Sequence, residues 1–502
     1  MLERLVRQGG AYALAGALLK GAGLLLAPLL LNATYLSVPD YGSYALLMIT
    51  AQLVIYVAGL GLATALIRFM TGDARGTDRD RLPVTALILA MGSAVVAAAL
   101  LVLAARPLAV ALTDSPEGAA LMIPLAAYVA AKCASSIPLA VLRVRERAGL
   151  YTLAVVVEMV ALVGLAWWQL AGLQSGLPGL LLAYAISAAV GLVVMLLLTA
   201  PGTNWRVSTA AMRPLLAFGT PLILASLSIW FLNAGDRYLL KWLADREAVA
   251  AYEWSARLAG LINMLLVQSF QLAFTVLGLK ALQAGAEAFY RRTMRHFSIW
   301  TGAAVLMLVV WTPDGMRVLQ ALFSVDDTYL QASVLVFPLA LGFAAYGVYV
   351  IVNNTLLAAG RTGVIGANVL IAALVNIALN VALIPQFGAM GAAVATTFSY
   401  ALLAALAAFA ARRDLKVRYP WRIPAVVVTL LVVLGAASLA MDGIQPALRI
   451  PGRMLLIGAY VAAVPALGLY TPHDLAAGWA KIRAITGQPP GHSEKQGSDP
   501  AH

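Results

Sequence analysis

The sequence predicts an all-α, polytopic membrane protein of about 14 transmembrane helices. Of its 502 residues 62% are hydrophobic and 11% are charged, and the mean hydropathy is +0.88. Soluble domains carry about 25% charged residues, so a water-exposed surface does not account for this composition. A bilayer core about 30 Å thick needs roughly 20 apolar residues per helix, and such runs recur from Ala11 to Tyr470. The bilayer is therefore the expected solvent for most of the chain.

Fourteen apolar runs between polar breaks define the predicted helices. They lie near residues 11–36, 41–67, 83–105, 118–141, 149–171, 176–199, 212–235, 248–278, 296–312, 328–357, 362–385, 388–411, 422–440 and 451–470. No small-residue cleavage site follows the first run, so we expect a retained helix rather than a signal peptide. The final segment, residues 485–502, is polar and rich in Pro, Gly and Ser, which predicts a disordered tail.

The positive charges predict the orientation of these helices. With the N-terminus inside, 24 of the 34 Lys and Arg residues fall in cytoplasmic segments and seven in outer ones. We therefore expect an even number of spans and both termini in the cytoplasm. The net charge of +12 then reflects topology, not a nucleic-acid-binding face. The single cysteine, Cys133, lies in an apolar run and is expected to be a small buried hydrophobe.

An internal repeat relates the sixth and twelfth predicted helices. GLPGLLLAYAIS begins the sixth and GAMGAAVATTFS the twelfth, which aligns Gly176, Gly179, Ala183 and Ser187 with Gly388, Gly391, Ala395 and Ser399. The repeat predicts an N-lobe (1–210, helices one to six), a C-lobe (211–415, helices seven to twelve) and helices thirteen and fourteen (416–484). Two parallel lobes of this kind can rock around a central cavity. The alternative is a small-residue packing motif that arose separately in each half.

One block resembles a known family. The run NIALNVALIPQFGAMGAAVATTFSY, from Asn376 to Tyr400, closely resembles helices eleven and twelve of the polysaccharide (O-antigen type) flippases. These belong to the multidrug/oligosaccharidyl-lipid/polysaccharide exporter superfamily. FGTPLILASLSIWFLNAGDRYLL (218–240) and VAAYEWSARLA (249–259) are similar to their seventh and eighth helices.

The resemblance implies a flippase of the bacterial inner membrane. It would move an undecaprenyl-diphosphate-linked oligosaccharide from the cytoplasmic to the periplasmic leaflet by alternating access, alongside polysaccharide assembly proteins. The fourteen-helix lipid II flippases are relatives in which the last two helices form a groove for the lipid tail. The resemblance implies the same role for helices thirteen and fourteen here.

Four charged side chains lie deep in predicted helices, where ionised groups are costly. Lys132 and Glu158 lie at one depth in adjacent antiparallel helices, which predicts an ion pair that braces the helices or takes part in coupling. Lys20 and Arg257 have no carboxylate at matching depth in an adjacent helix. We therefore expect them, together with Lys132, to bind the diphosphate, although Lys20 could instead extend to the cytoplasmic interface.

Polar side chains within the helices are further candidates. Sugar contacts are expected from Asn233, Gln268, Asn376 and Asn380, whose alternative role is to hold helices together by hydrogen bonds. The Asp236-Arg237 pair at the outer end of helix seven is expected to be interfacial rather than part of a binding site.

The sequence predicts a transporter without catalytic residues, metal or cofactor. No P-loop occurs, and the four histidines lie at a helix edge or in the tail, so an enzyme is not expected. The alternative function is a cation-coupled multidrug extrusion antiporter of the same superfamily. Such a protein commonly carries an N-lobe carboxylate, for which Glu158 is the sole candidate here.

Overall fold

The computed structural model describes residues 23–71, 79–283, 287–412 and 419–470. Within these ranges the regular structure is helical, apart from one isolated β-bridge between Asn32 and Val325. Ten of the described helices are long and apolar enough to cross a membrane. The predicted all-α, multi-pass class is therefore confirmed, whereas the count of fourteen spans stays a prediction. Most of predicted helix one and the C-terminal tail lie outside the described residues.

The helices up to residue 210 follow the predicted order. They are α1 Ala27–Leu30, α2 Val38–Ala58, α3 Leu62–Thr71, α4 Leu82–Leu103, α5 Ala105–Thr113, α6 Met122–Val144, α7 Ala148–Trp167 and α8 Gly176–Thr199. Short 3-10 turns cover Arg79–Arg81 and Pro116–Leu121, and a π-helical turn over Trp168–Gly172 extends α7.

The remaining helices include several that the hydropathy pattern did not delimit correctly. They are α9 Thr209–Ala234, α10 Asp236–Leu243, α11 Arg246–Ile262, α12 Ser269–Gln283, α13 Glu287–Phe323, α14 Asp327–Gln331, α15 Val336–Ala358, α16 Thr362–Ala411, α17 Arg422–Ala440 and α18 Pro446–Ala466. A π-helical turn over Asn263–Gln268 joins α11 to α12, and a 3-10 turn over Ala332–Leu335 joins α14 to α15.

Four predicted helices are split, extended or joined. Predicted helix two is split into α2 and α3, because Leu60 and Gly61 both have positive φ, which a right-handed helix excludes. Predicted helix nine extends to the 37 residues of α13. Predicted helices eleven and twelve form α16, which contains a kink at Gly388 where φ is +54°. Hydropathy locates apolar segments but does not report single backbone angles.

The two repeats share backbone features at their matched positions. Gly176 and Gly388 both adopt positive φ, at +56° and +54°. Arg147 and Arg361 are the N-cap residues of α7 and α16, and in each case the preceding residue has positive φ. These shared turns support a duplicated architecture rather than two unrelated packing motifs.

Two compact units make up the described residues. One contains the residues up to Tyr290 together with those from Trp311 to Val417. The second contains the stretch from Arg291 to Val310 within α13 and the residues from Arg418 onward, including α17 and α18. Within this second unit, the Tyr460 hydroxyl donates to the Ile299 carbonyl over 2.8 Å. The lobe boundaries at 210 and 415 stay predictions.

Helix α2 contacts C-lobe residues at both of its ends. A Cβ at Gly42 would lie 2.0 Å from the carbonyl oxygen of Arg246, the first residue of α11. Just beyond the other end, a Cβ at Gly61 would lie 2.3 Å from the carbonyl oxygen of Gly219 in α9. Gly42 and Ala58 are roughly 24 Å apart along α2. Close backbone contacts therefore join the two sequence halves at two widely separated levels.

Candidate functional site

Arg257 of α11 is the central charged residue between the two halves. Its Nε donates to Glu253 Oε1 over 2.9 Å, and its Nη2 donates to the Tyr44 hydroxyl over 3.3 Å. Its guanidinium lies over the rings of Tyr41 and Tyr44, 5.7 and 5.5 Å from their centroids. The expectation that Arg257 lacks a carboxylate partner is wrong. The partner lies one turn earlier on the same helix, where a comparison of adjacent helices does not find it.

Glu253 also pairs with a second arginine. Arg237 Nη2 lies 3.2 Å from Glu253 Oε2, and Arg237 Nη1 lies 2.8 Å from Asp236 Oδ1. The other Asp236 oxygen accepts hydrogen bonds from Thr396, over 3.2 Å, and from Tyr252. The predicted Asp236-Arg237 pair is present, and Asp236 is buried in the protein between α11 and α16. Its location at the membrane interface stays a prediction. Two arginines and two carboxylates thus form a neutral, largely buried chain, in which each charge has a partner of opposite sign.

Tyrosines extend this chain into the N-lobe. The Tyr44 and Tyr184 hydroxyls lie 2.6 Å apart, and the Tyr184 ring meets the Tyr128 ring edge to face at 5.7 Å. The Tyr41 hydroxyl is buried without a hydrogen-bond partner among the described residues. Sequence reasoning missed these residues. The available signal was the spacing of Tyr41 and Tyr44, which places both on one helix face.

A cavity of about 280 Å³ lies beside Arg257. Its lining residues are Gly23, Leu24, Arg257, Gly260, Leu261, Asn263, Met264 and Gln268. Gly23 faces the guanidinium so closely that a Cβ there would lie 3.0 Å from Arg257 Nη1. Arg257 therefore borders a cavity while its other nitrogens bind Glu253 and Tyr44. Lys20, three residues before Gly23, lies outside the described residues.

Lys132 and Glu158 form an ion pair within the N-lobe. Lys132 Nζ of α6 lies 2.8 Å from Glu158 Oε1 of α7, and the two side chains are 21% and 6% exposed. Glu158 also packs on Gly191 of α8, where a Cβ would lie 2.9 Å from Oε2. The pair has the geometry of a brace across three helices. Its expected role in diphosphate binding or coupling stays a prediction.

We expect the substitution Lys132→Ala to lower the free energy of unfolding by about 3 kcal/mol, because it leaves the Glu158 carboxylate buried without its cation. The double variant Lys132→Met, Glu158→Gln should recover most of this loss, since it removes both charges. Thermal unfolding of the purified protein in detergent measures the effect. Lys280→Ala, which removes an exposed lysine, is the control. Equal losses in the single and double variants would contradict a bracing ion pair.

The four predicted sugar contacts occupy different environments. Gln268 lines the cavity, whereas the Asn233 side chain accepts a hydrogen bond from Tyr400 over 2.8 Å. Asn376 and Asn380 are buried one turn apart on α16, and Asn380 Nδ2 donates to the carbonyl and side-chain oxygens of Asn376. Of the four, Gln268 shares the cavity with Arg257. The sugar contacts of the other three stay predictions.

Acidic, histidine and cysteine side chains are dispersed in the described part of the chain. No group of three or more is close enough there to hold a metal ion. The carboxylates near Arg257, those of Asp236 and Glu253, pair with arginines instead. The chemistry that this site offers is therefore recognition of an anion by a guanidinium, with tyrosines around it.

Comparison with known proteins identifies the family and the fold of the chain. Residues 5–275, more than half of the chain, match the family model described as polysaccharide biosynthesis protein. No curated protein sequence matches the chain. Among solved structures, the lipid II flippase MurJ in an inward closed conformation has a TM-score of 0.71 at 12% identity. That match covers 92% of this chain and 99% of MurJ.

Multidrug transporter structures share the fold as well. An inward-facing multidrug resistance MATE family transporter of the MOP superfamily has a TM-score of 0.63 at 16% identity, with 78% of this chain and 94% of that chain covered. A MOP superfamily transporter from Pyrococcus furiosus has a TM-score of 0.56 at 17% identity, with 82% and 95% covered. The relationship expected from the resemblance is thereby confirmed: this chain is a multi-pass membrane protein that belongs to the polysaccharide biosynthesis protein family and has the fold of MurJ and the MATE transporters.

Proposed function

We propose that this protein flips an undecaprenyl-diphosphate-linked oligosaccharide from the cytoplasmic to the periplasmic leaflet of the bacterial inner membrane. The family match supports a role in polysaccharide biosynthesis, and the shared fold supports a transporter. The observation that carries the proposal is the placement of Arg257, a partly buried cation that lines a cavity between the two halves of the chain.

The Arg257 guanidinium has N–H groups beyond those that donate to Glu253 and Tyr44, and these could bind a diphosphate. A guanidinium carries five N–H groups in a planar fork that matches phosphate oxygens. Nε bonds to Glu253 and Nη2 to Tyr44, while Nη1 faces Gly23 at the cavity. A diphosphate could therefore bind at Nη1 before the internal contacts break. Lys20 and Lys132 are proposed as additional cationic ligands, and Gln268 as a sugar contact.

Substrate binding at Arg257 would act on the contact between the lobes. Arg257 belongs to the C-lobe range and Tyr44 to the N-lobe range, so an anion that competes for this guanidinium weakens one contact between them. A ligand shifts a conformational equilibrium only when it binds the two states differently. Competition with Tyr44 supplies such a difference and supports alternating access. Both termini are proposed to lie in the cytoplasm, where polysaccharide assembly proteins could supply the substrate.

Lipid analysis of a deletion strain tests the proposal. Loss of the protein should cause an undecaprenyl-diphosphate oligosaccharide to accumulate in the cytoplasmic leaflet, and the wild-type gene should reverse this. Arg257→Ala should fail to do so at normal protein abundance, because a lost charged hydrogen bond costs about 3 kcal/mol, or roughly a hundredfold in binding. Arg106→Ala, which removes an exposed arginine, is the control and should reverse the accumulation as fully as the wild-type gene does.

A cation-coupled multidrug extrusion antiporter is the second candidate. It is favoured by the fold shared with the MATE transporters and by Glu158, whose Oε2 is buried without a hydrogen-bond partner among the described residues. Lipid analysis and drug-sensitivity measurements on the same deletion strain distinguish the two functions. New drug sensitivity without accumulation of a lipid-linked saccharide would reject the flippase and favour the antiporter.

A further inference from the structure

The cavity beside Arg257 contains an amide side chain that the proposed diphosphate contact does not use. Asn263 lines this cavity of about 280 Å³ together with Arg257 and Gln268. Its side-chain oxygen, Oδ1, is buried and accepts no hydrogen bond from the residues that the structure describes. The large majority of buried polar side-chain atoms in proteins have a partner. An unpaired acceptor at the wall of a cavity therefore indicates a group that meets whatever enters the cavity.

The local helix geometry accounts for two amides at one cavity. Asn263 and Gln268 are the first and last residues of the π-helical turn between α11 and α12. In an α-helix, with 3.6 residues per turn, residues five apart lie roughly 140° apart around the axis. The hydrogen bonds of a π-helix join residues five apart, which brings these two positions closer to one face. The turn thus groups Asn263 with Gln268.

Arg257 and Asn263 lie at different levels of the cavity. Six residues separate them, which corresponds to roughly 9 Å along a helix axis. Gly260 lies halfway between them and also lines the cavity, and a Cβ built on it meets no atom within 4 Å. The space between the guanidinium and the amide is therefore open, so that one ligand can reach both groups.

The two groups recognise opposite kinds of atom. The Arg257 guanidinium donates hydrogen bonds and carries a positive charge, so it favours phosphate oxygens. Asn263 Oδ1 accepts hydrogen bonds, so it favours a hydroxyl or an amide N–H. An ionised diphosphate offers acceptor oxygens and does not satisfy this amide oxygen. The first sugar of a lipid-linked saccharide does carry hydroxyl donors, and it is bonded directly to the diphosphate.

We propose that Asn263 accepts a hydrogen bond from the sugar next to the diphosphate, while Arg257 binds the diphosphate itself. The proposal rests on the flippase function and adds a specificity-determining residue to it. A buried acceptor that a bound ligand leaves unpaired is costly. Undecaprenyl diphosphate without a saccharide would leave Asn263 in that state. The site would therefore select the lipid that carries a saccharide over the bare carrier.

The binding of two lipids to the purified protein in detergent tests this assignment. The probes are undecaprenyl diphosphate and undecaprenyl-diphosphate N-acetylglucosamine, whose sugar supplies hydroxyl and amide N–H donors. Microscale thermophoresis measures both Kd values, and their ratio gives the preference for the glycosylated lipid. Asn263→Leu keeps the approximate side-chain volume but removes the acceptor. We expect it to lower this preference about tenfold, the effect of one lost hydrogen bond.

Two amide variants separate recognition from packing. Asn263→Asp keeps an acceptor at the same position and should preserve the preference, while repulsion between its carboxylate and the diphosphate weakens the binding of both lipids. Asn353 of α15 is the matched control. Its amide oxygen is also buried without a partner in the described part of the chain, but it does not line the cavity. Asn353→Leu should leave the preference unchanged.

A blocking variant tests the space between the two groups. Gly260→Leu places a side chain where the sugar would lie and should also lower the preference for the glycosylated lipid. Gly164→Leu on α7 is its control, because Gly164 is exposed and a Cβ there also meets nothing. An unchanged preference in Gly260→Leu would overturn the assignment even if Asn263→Leu does not fold.

The outcomes distinguish this assignment from the flippase function. An unchanged preference in Asn263→Leu, with weaker binding of both lipids in Arg257→Ala, would overturn the role of Asn263 and leave the flippase standing. A preference that falls equally in Asn353→Leu would overturn it as well, since the effect would then be one of packing. Unchanged binding of both lipids in Arg257→Ala would overturn the diphosphate site and the assignment together.

Discussion

Replacement of Glu253 by Gln is expected to destabilise the protein by about 3 kcal/mol, because it leaves the partly buried Arg257 guanidinium without its carboxylate partner. Glu253 is shared by Arg257 and Arg237, at 2.9 and 3.2 Å. Without this carboxylate, Arg237 retains Asp236, whereas Arg257 retains only tyrosine contacts among the partners described. Thermal unfolding in detergent measures the loss, and Glu247→Gln, at an exposed site on the same helix, is the control.

A double variant separates the structural role of Arg257 from its proposed role in binding. Glu253→Gln with Arg257→Met removes one charge of each sign and should restore most of the stability lost in the single variant. It should nevertheless fail to export the lipid-linked oligosaccharide, because the anion-binding guanidinium is gone. Export by a stable double variant would show that Arg257 is not the diphosphate ligand. Instability of both variants would show that the buried network requires the ion pair itself.

The substitution Gly42→Ala is expected to prevent α2 and α11 from closing against each other. The added Cβ would lie 2.0 Å from the Arg246 carbonyl oxygen, which is backbone and cannot rotate away. Alanine is favoured over glycine within a helix by about 1 kcal/mol, so helix propensity alone would make Gly42→Ala stabilising. Any loss of contact between α2 and α11 would therefore come from the added Cβ. Asp114 strengthens the same contact, since its carboxylate pairs with Arg246 over 3.1 Å and also with Lys241.

The distance between two spin labels can report whether α2 and α11 separate in the Gly42→Ala variant. Labels in place of the exposed residues Glu117 and Glu247 flank the contact, one in each half of the chain. Gly42→Ala should shift their distance distribution to longer values and abolish export in the deletion strain. Gly164→Ala, at a helix glycine with open space around it, should change neither. An unchanged distribution in Gly42→Ala would show that this contact does not control the closed state.

Much of the architecture was predictable because it depends on local composition. Transmembrane helices must be apolar over a set length, so hydropathy alone located most of the described apolar segments, although not all of their ends. The Lys132–Glu158 contact was predictable for a related reason. A short connection between α6 and α7 forces antiparallel neighbours, and equal depth in a bilayer then brings opposite charges together. The repeat was visible because glycines recur where the backbone turns, at Gly176 and Gly388.

The errors also have identifiable causes. The pairing of Glu253 with Arg257 follows from their spacing of four residues and was open to sequence reasoning, but only adjacent helices were compared. The burial of Asp236 was not accessible in this way. It depends on Tyr252 and on Thr396, which lies 160 residues further along the chain. Depth estimated from helix ends does not show which neighbouring helix covers a side chain.

The sequence by itself determined the membrane class, the approximate spans, the repeat and the small set of intramembrane charges, because a bilayer constrains each helix separately. Only the tertiary structure decided that Arg257 meets Tyr44, 213 residues away, and that α2 contacts the second half of the chain at both ends. Such contacts depend on the rotation and tilt of each helix. Those are set by packing against neighbouring helices, since lipid is as apolar as the side chains that face it.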